Sequence, residues 1–393
     1  MSIFRQLSTR RLVGLLTAVA VVAAGVSVGA MRAFGSSSPR PPAKPLDAAL
    51  ADAASAAGPV GIRARVQFTN NLFPAGSLSG LSGSQGSALR SSASGRLWWA
   101  GDGRGRIELQ SDAGDTQILW GPGRDVTVYD SSSNTVYTLP FQVPARRADG
   151  HAAPSLRDVD TFLKRLAGQW TLSGAVPSDV GGQPAYTLSA SPAHSGGLLG
   201  SLQLAWDARQ GVPLRVAVYA QGQSSPVLAL RATGVSYGAV PAGDLDITPP
   251  GNARKVELGG STGTEGTRGG TAAGRRVSGL AAVQARLPFA VSAPPELVGL
   301  PRRSVRLIGG SQNGALVLYG QGLGAIAVVE RRASAASGDQ LSQLPKVSVG
   351  SATGHELATP LGTIISFDKA GVGYLVAGSM PASAAETAAR DLG

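Results

Sequence analysis

Apolar and polar residues alternate over short stretches along most of this chain. In IRARVQF, Ile62, Ala64, Val66 and Phe68 alternate with Arg63, Arg65 and Gln67. The same two-residue period runs through RLWWA (96–100), RIELQ (106–110), TQILW (116–120), DVTVYD (125–130) and NTVYTL (134–139). It resumes in QWTLSG, PAYTLSA, SLQLAWD, VPLRVAVYA and VLALRATGVSY, which ends at Tyr237. A period of two sends successive side chains to opposite faces of a strand, and the closely spaced turn signals predict one large antiparallel sheet. Within it, AWDARQGVPLRVAVYA (205–220) reads as a hairpin. Asp207 can bond the turn backbone, Gly211 supplies a positive φ, and Pro213, which has no N–H, fits the start of the returning strand.

Two stretches carry a helical pattern instead. LDAALADAASAA, from residue 46, is a short alanine-rich helix. SLRDVDTFLKRLAG (155–168) places Leu156, Val159, Phe162, Leu163 and Leu166 in one stripe, with Ser155 before it and Gly168 as a stop. A sheet with one apolar face needs such a helix as cover. The strand period returns after residue 286 in PFAVSAPPEL, SVRLIG, ALVLYG, AIAVVE, KVSVG, HELAT, GTIISFD and GYLVAGS, and SAAETAARDL closes the chain as a helix.

Between the two regular regions lies GNARKVELGGSTGTEGTRGGTAAGRRVSG (251–279), rich in glycine and threonine and without periodicity. It reads as a flexible linker. At the other end, Arg10-Arg11 precedes an uncharged run from Leu12 to Ala30. Its length suits a membrane span, while Val28 and Ala30 suit a cleavage site. Anchor and cleaved signal both stay open, and either one places the residues beyond Arg32 outside the cytoplasm. The expected division is therefore a signal peptide or anchor at 1–34, a Pro/Ser spacer at 35–45, a curved-sheet domain at 46–250, a linker at 251–285 and a small α+β domain at 286–393. The fold class is α+β.

Composition removes several functions. The chain has no cysteine, so disulfides, thiolate metal sites, cysteine nucleophiles and a lipidated N-terminal cysteine are all excluded. The net charge is +11, but the basic residues are scattered singly, without the basic helix or aromatic–basic interleaving that nucleic-acid binding needs. They read as solvated surface arginines. His151, His194 and His355 stand apart from one another, and no metal site is expected. Gly259-Gly260-Ser261-Thr262-Gly263 has the G-x-S-x-G spacing without a strand before it or a helix after it. The carboxylates Asp102, Asp112, Asp115, Asp130 and Asp207 sit at turns. The expectation is a protein that is not an enzyme and needs no cofactor.

What remains is apolar. The candidate ligand-binding residues, on alternate strand positions, are Val66, Phe68, Leu97, Trp99, Ile107, Leu109, Ile118, Trp120, Val126, Val128 and Trp206. Together they would line a concave face that takes a hydrophobic ligand; singly, each is an ordinary core residue. The loop NNLFPAGSLSGLSGSQGSALRSSASG (70–95) carries Leu72, Phe73, Leu78, Leu81 and Leu89 in a Gly/Ser background. These are either a lid over the cavity or a satellite surface cluster.

On IRARVQF, SGRLWWAGDGRGRIEL, DTQILWGPGRDVTVYDSSSNTVYTL, the amphipathic helix and LQLAWDARQGVPLRV, residues 46–250 resemble the LolA-like superfamily. That group includes the lipoprotein carrier LolA, RseB-type regulators and actinobacterial LolA-like lipid-transfer proteins. Residues 286–393 resemble the small C-terminal domain of the RseB-type members. The resemblance implies a strongly curved half-barrel sheet, covered by helices, around a cavity for acyl chains or partner segments. It implies an extracytoplasmic binding protein of the cell envelope for lipids or lipoproteins. The alternative is an envelope-stress regulator binding an anti-sigma factor or another membrane protein. A third class is a structural module whose sheet is packed shut.

Overall fold

The computed structural model describes residues 40–73, 88–142, 156–194, 196–257, 277–309, 313–333 and 344–392. The first region is built on β1 (Gly61–Asn70), β2 (Ala93–Ala100), β3 (Gly105–Ser111), β4 (Gly114–Gly121), β5 (Arg124–Asp130), β6 (Thr135–Gln142), β7 (Trp170–Leu172), β8 (Val176–Val180), β9 (Gln183–Pro192), β10 (Leu199–Asp207), β11 (Pro213–Ala220), β12 (Leu228–Tyr237) and β13 (Arg254–Glu257). These strands form one curled sheet in the order β13-β6-β5-β4-β3-β2-β1-β12-β11-β10-β9-β7, with β8 on β9. All pairs are antiparallel except β13 on β6. The chain runs out from β1 to β6 and back from β9 to β12, so β12 closes against β1. Register shifts at Arg65/Val66, Leu119/Gly121 and Ala205/Trp206 each insert a bulge, and bulges with the native twist curl a broad sheet into a half-barrel.

The alternation read from sequence decides which side is the inside. Directly paired residues share a face, so Ala64, Leu97, Ile107, Ile118, Val128 and Tyr137 make one row across six strands. Gly105 stands in the next row, between Trp99 and Trp120. A Cβ there would lie 2.1 Å from the Trp120 ring, so the indole lies flat across the glycine. Gly105→Ala is expected to cost about 1–3 kcal/mol by displacing that ring, read as a lowered denaturation midpoint.

Helix α1 (Leu46–Ser55) buries Ala49 and Ala53 against Tyr186 and Trp206. Tyr186 Oη also donates to the Pro42 carbonyl at 2.7 Å, fixing the chain as it enters. Helix α2 (Leu156–Ala167) contacts α1 and β7, at one edge of the sheet. The sequence predicts an apolar stripe suited to covering the sheet; Phe162, inside that stripe, is 56% exposed. The cap expected at Ser155 lies outside the described residues.

A second antiparallel sheet follows, from β14 (Glu296–Leu297), β15 (Leu300–Ile308), β16 (Gly314–Tyr319), β17 (Ile326–Arg332), β18 (Lys346–Val349), β19 (Ala352–Thr359), β20 (Gly362–Lys369) and β21 (Val372–Gly378). Its order is β14-β15-β16-β17-β21-β20-β19-β18. Helix α3 (Leu280–Gln284) places Val283, and α4 (Ala382–Leu392) places Ala385, Ala388, Ala389 and Leu392, in its core. That spacing is one helix face, and alanines let the helix lie close. The segment 251–285, read as linker, holds β13 at one end and α3 at the other. Residues 254–257 add a parallel strand to β6, where Val256 packs on the inner cluster. Among the described residues no helix is long and apolar enough to cross a membrane. The Leu12–Ala30 run lies outside them.

Candidate ligand-binding face

The inner face of the half-barrel gathers Val66, Phe68, Trp99, Ile107, Leu109, Ile118, Trp120, Val126 and Val128 into one buried cluster, with Leu97 half-buried against it. Trp206 lies elsewhere. It stacks at a tilt against Tyr186, with ring centroids 6.0 Å apart, under α1. It keeps the face of Leu204, since the two pair in unbroken register with Tyr186 and Leu188 of β9, but stands one step further along the strand, where α1 and not the main cluster covers it. Of the loop residues, Leu89 is buried in the inner cluster, and Leu72 and Phe73 pack on it. Asn70 ties the two ends of that loop together: its side-chain nitrogen donates to the Leu89 carbonyl at 2.7 Å, and its oxygen accepts from Leu72 N. Leu78 and Leu81 lie outside the described residues.

The inner face is not uniformly covered. Over β2 to β5 its side chains are shielded by the 72–73 and 88–90 segments. Among the described residues the cover thins toward β9 to β12. The row Leu188, Leu204, Val216, Leu230 and Phe68 crosses five strands, and its first four members are only half-buried. In the next row Leu202 is 37% exposed beside half-buried Val218. Helix α1 reaches Leu188 and Leu204, and the main cluster reaches Val218 and Leu230. Leu202 and Val216 lie between these two covers, forming an apolar strip with room at its surface.

Polar groups also stand inside this apolar setting, at alternate positions that continue its rows. Thr116, Asp130 and Thr135 occupy one cross-strand row, and all three are buried. Asp130 Oδ1 accepts from Ser132 N and Oγ at 3.0 and 2.7 Å. Arg90, carried in by the segment that buries Leu89, has its guanidinium pKa lowered by burial, with Asp130 and Tyr137 acting in the opposite direction. The indole nitrogens of Trp99 and Trp120 are buried and have no hydrogen-bond partner among the described residues. A buried donor without an acceptor costs about 1–3 kcal/mol, so this face holds two unused donors in an apolar wall.

The second sheet touches this region. Leu361, at the β19–β20 turn, packs on the inner cluster. Leu198 N donates to Ser379 Oγ at 2.9 Å, and that hydroxyl donates to the Leu361 carbonyl at 2.8 Å. Gly197 has φ +61°, and a Cβ there would come within 2.2 Å of the Ser379 carbonyl. Only glycine allows so close an approach. Among the described residues no group of His, Asp or Glu could hold a metal ion.

No protein-family model matches the chain, and no curated protein matches it. Solved structures similar to it include the Pseudomonas aeruginosa MucA/MucB complex, at 17% identity and TM-score 0.41, over 87% of this chain and 95% of that one. MucB in complex with MucA(peri) is similar at 17% identity and TM-score 0.40, over 84% and 91%. The LolA superfamily protein NE2245 from Nitrosomonas europaea is similar at 12% identity and TM-score 0.22, over 52% and 99%. The fold itself is the α+β class the sequence predicts: a curled antiparallel half-barrel with helices against it, followed by a second antiparallel sheet. Its structural neighbours include MucB-type and LolA superfamily proteins.

Proposed function

We propose that the chain is an extracytoplasmic binding protein that takes the acyl chain of a lipid or lipoprotein on the inner face of its half-barrel. The observation that carries this reading is the incompletely covered strip at Leu202 and Val216, continuous with an apolar face that holds the unpaired indole donors of Trp99 and Trp120. Each buried methylene contributes about 0.8 kcal/mol, so a long chain gains on the order of 10 kcal/mol from such a surface alone. An ester or amide carbonyl would accept from an indole N–H that otherwise has no partner. The ligand class therefore follows from apolar area plus a few donors, without any catalytic constellation. A photoactivatable fatty acid tests the placement. Its crosslinks are expected on β10, β11 and β12 around Leu202, Val216 and Leu230; crosslinks confined to the second sheet or spread over the surface would contradict it.

A second reading, a regulator whose ligand changes its grip on a membrane protein partner, is favoured by the contact between the two sheets. With Leu361 on the inner cluster and Ser379 on Leu198, ligand entry and the position of the second sheet act on shared atoms. Gly197→Ala is expected to separate them, seen as a larger radius of gyration in solution scattering with both sheets still folded. An unchanged radius would show that the contact does not set their arrangement.

A further inference from the structure

The arginines that look scattered in sequence are assembled by strand register on the outer face of the first sheet. Arg65 of β1 is directly opposite Arg96 of β2, and Arg231 of β12 is directly opposite Arg215 of β11. Gln67, opposite both Arg231 and Ser94, joins the two pairs on the same face. Arg63 and Arg106 flank them through Trp98, over which the Arg106 guanidinium lies at 5.1 Å. Like charges directly opposite on adjacent strands are destabilising, so two such pairs side by side oppose folding.

Little on this face neutralises them. Glu108 stands opposite Arg96, but its oxygens are taken by Arg106 Nη2 at 3.1 Å and Gln110 Nε2 at 3.3 Å. Asp244 lies 4.0 Å from Arg63, and both are largely exposed. Arg215 bonds the Tyr219 hydroxyl. Among the described residues Arg65, Arg96 and Arg231, all exposed, are in no ion pair. The Arg65 guanidinium lies over Gly234, 3.2 Å from where a Cβ would stand.

We infer that this outer face docks on an anionic lipid bilayer. The patch spreads over β11, β12, β1 and β2, interior strands of the sheet with a neighbour on each side, so no free edge is offered for an acidic peptide to extend. Strands about 4.8 Å apart spread the guanidiniums in two dimensions. An array of phosphodiesters meets such a surface at many points, each able to accept a bidentate pair from arginine. Half-buried Trp98 and Tyr219 add the aromatic character that suits the headgroup depth. The apolar inner face lies on the opposite side of the same strands, so docking leaves it uncovered.

The test uses the full chain held in nanodiscs of neutral lipid. The natural chain has no cysteine, so Ser94→Cys, at an exposed position within the patch, gives a single site for an environment-sensitive fluorophore. Separate vesicles of phosphatidylcholine, with or without one third phosphatidylglycerol, are then titrated in. The expected result is a blue shift with anionic vesicles, none with neutral ones, and reversal by half-molar salt. R65Q/R96Q/R231Q is expected to weaken the response about a hundredfold, at about fivefold per arginine, without lowering Tm. Arg254→Gln with Lys255→Gln, on β13, should leave it unchanged. An equal response to neutral vesicles, a triple variant that binds like the parent, or an equal loss from the β13 variant would overturn the inference. So would a response to polyglutamate but not to vesicles, which would make the partner an acidic protein segment.

Discussion

Asp207→Ala is expected to destabilise the first sheet by about 3–5 kcal/mol, the largest loss from any single side chain considered in it. Asp207 is 1% exposed and ends β10. Its Oδ1 accepts from Arg209 N at 2.7 Å and Gln210 N at 2.8 Å, which shapes the turn. Its Oδ2 accepts from Tyr237 Oη at 2.5 Å, which clamps the turn to the end of β12. Burial first, and then this carboxylate, push the Tyr237 hydroxyl far above its usual range, so it stays a donor at any pH the fold survives. Alanine leaves three donors without their acceptor in a site that water reaches poorly. Asp207→Asn keeps the oxygen for the turn and is expected to cost less, about 1–2 kcal/mol. Urea denaturation of both variants, followed by tryptophan emission, checks the order and the gap between them.

The second large effect is on the second sheet and depends on pH. Glu330 of β17 is fully buried, between Ala315 and Tyr374 on the adjacent strands. One of its oxygens accepts from Ser292 N at 2.9 Å, and the other has no partner among the described residues. Around it stand Tyr319, whose hydroxyl is also buried without a partner, Tyr374, and Arg302 beyond Tyr319. Burial pushes the Glu330 carboxyl up from 4.5 to about 7, and the single bond from Ser292 only partly opposes this. The folded state therefore holds a proton that the unfolded chain releases near pH 4.5. This contribution to stability is complete below that pH and falls as pH rises toward 7. The accumulated loss is about 3 kcal/mol at pH 8. Glu330→Gln removes the charge but keeps an acceptor for Ser292. It is expected to flatten the pH dependence between 4.5 and 7 and to raise stability at pH 8. Calorimetric scans over that range give the slope directly; a variant that keeps the parent's slope would show that another group titrates.

Much of the first sheet was legible because one physical signal, alternation, dominates it. The inner-face residues Val66, Phe68, Ile107, Leu109, Ile118, Val126 and Val128 could be picked out because each sits at every second position of its strand. The hairpin at 205–220 was legible in turn chemistry. Gly211 has φ +66°, and a Cβ there would also strike the Ala53 carbonyl at 2.4 Å, a tertiary reason no local pattern carries. Trp206 keeps the face that alternation assigns but lies apart from the main cluster because α1 covers that end of β10, a tertiary contact that no strand pattern carries. The features least legible were those set by register between distant strands. Arg65 and Arg96, or Arg215 and Arg231, become neighbours only through pairing. Arg90 comes near Asp130 only because residues 88–90 fold under the inner face. The Ser379–Leu198 contact joins residues from two sheets and has no periodic signature at all. At helix ends, the capping spacing of Ser383 and Glu386 suggests a start at Ser383, but α4 begins at Ala382, with Ala385 N bonded to the Pro381 carbonyl at 3.1 Å. Proline fits that position because its missing N–H is not needed there.

The proposed function rests on an acyl chain held on the inner face. The most direct test is native mass spectrometry with lipid extraction on the full chain, purified from a membrane-competent host beside the variant Leu202→Glu, Val216→Glu. Both substitutions fall on the thinly covered strip, so the fold is retained while a carboxylate opposes any chain lying there. The expected result is lipid at near-unit stoichiometry on the parent and at least about tenfold less on the variant. A folded parent that carries no lipid, or a variant that carries as much, would contradict the claim and leave the inner face as a core packed shut.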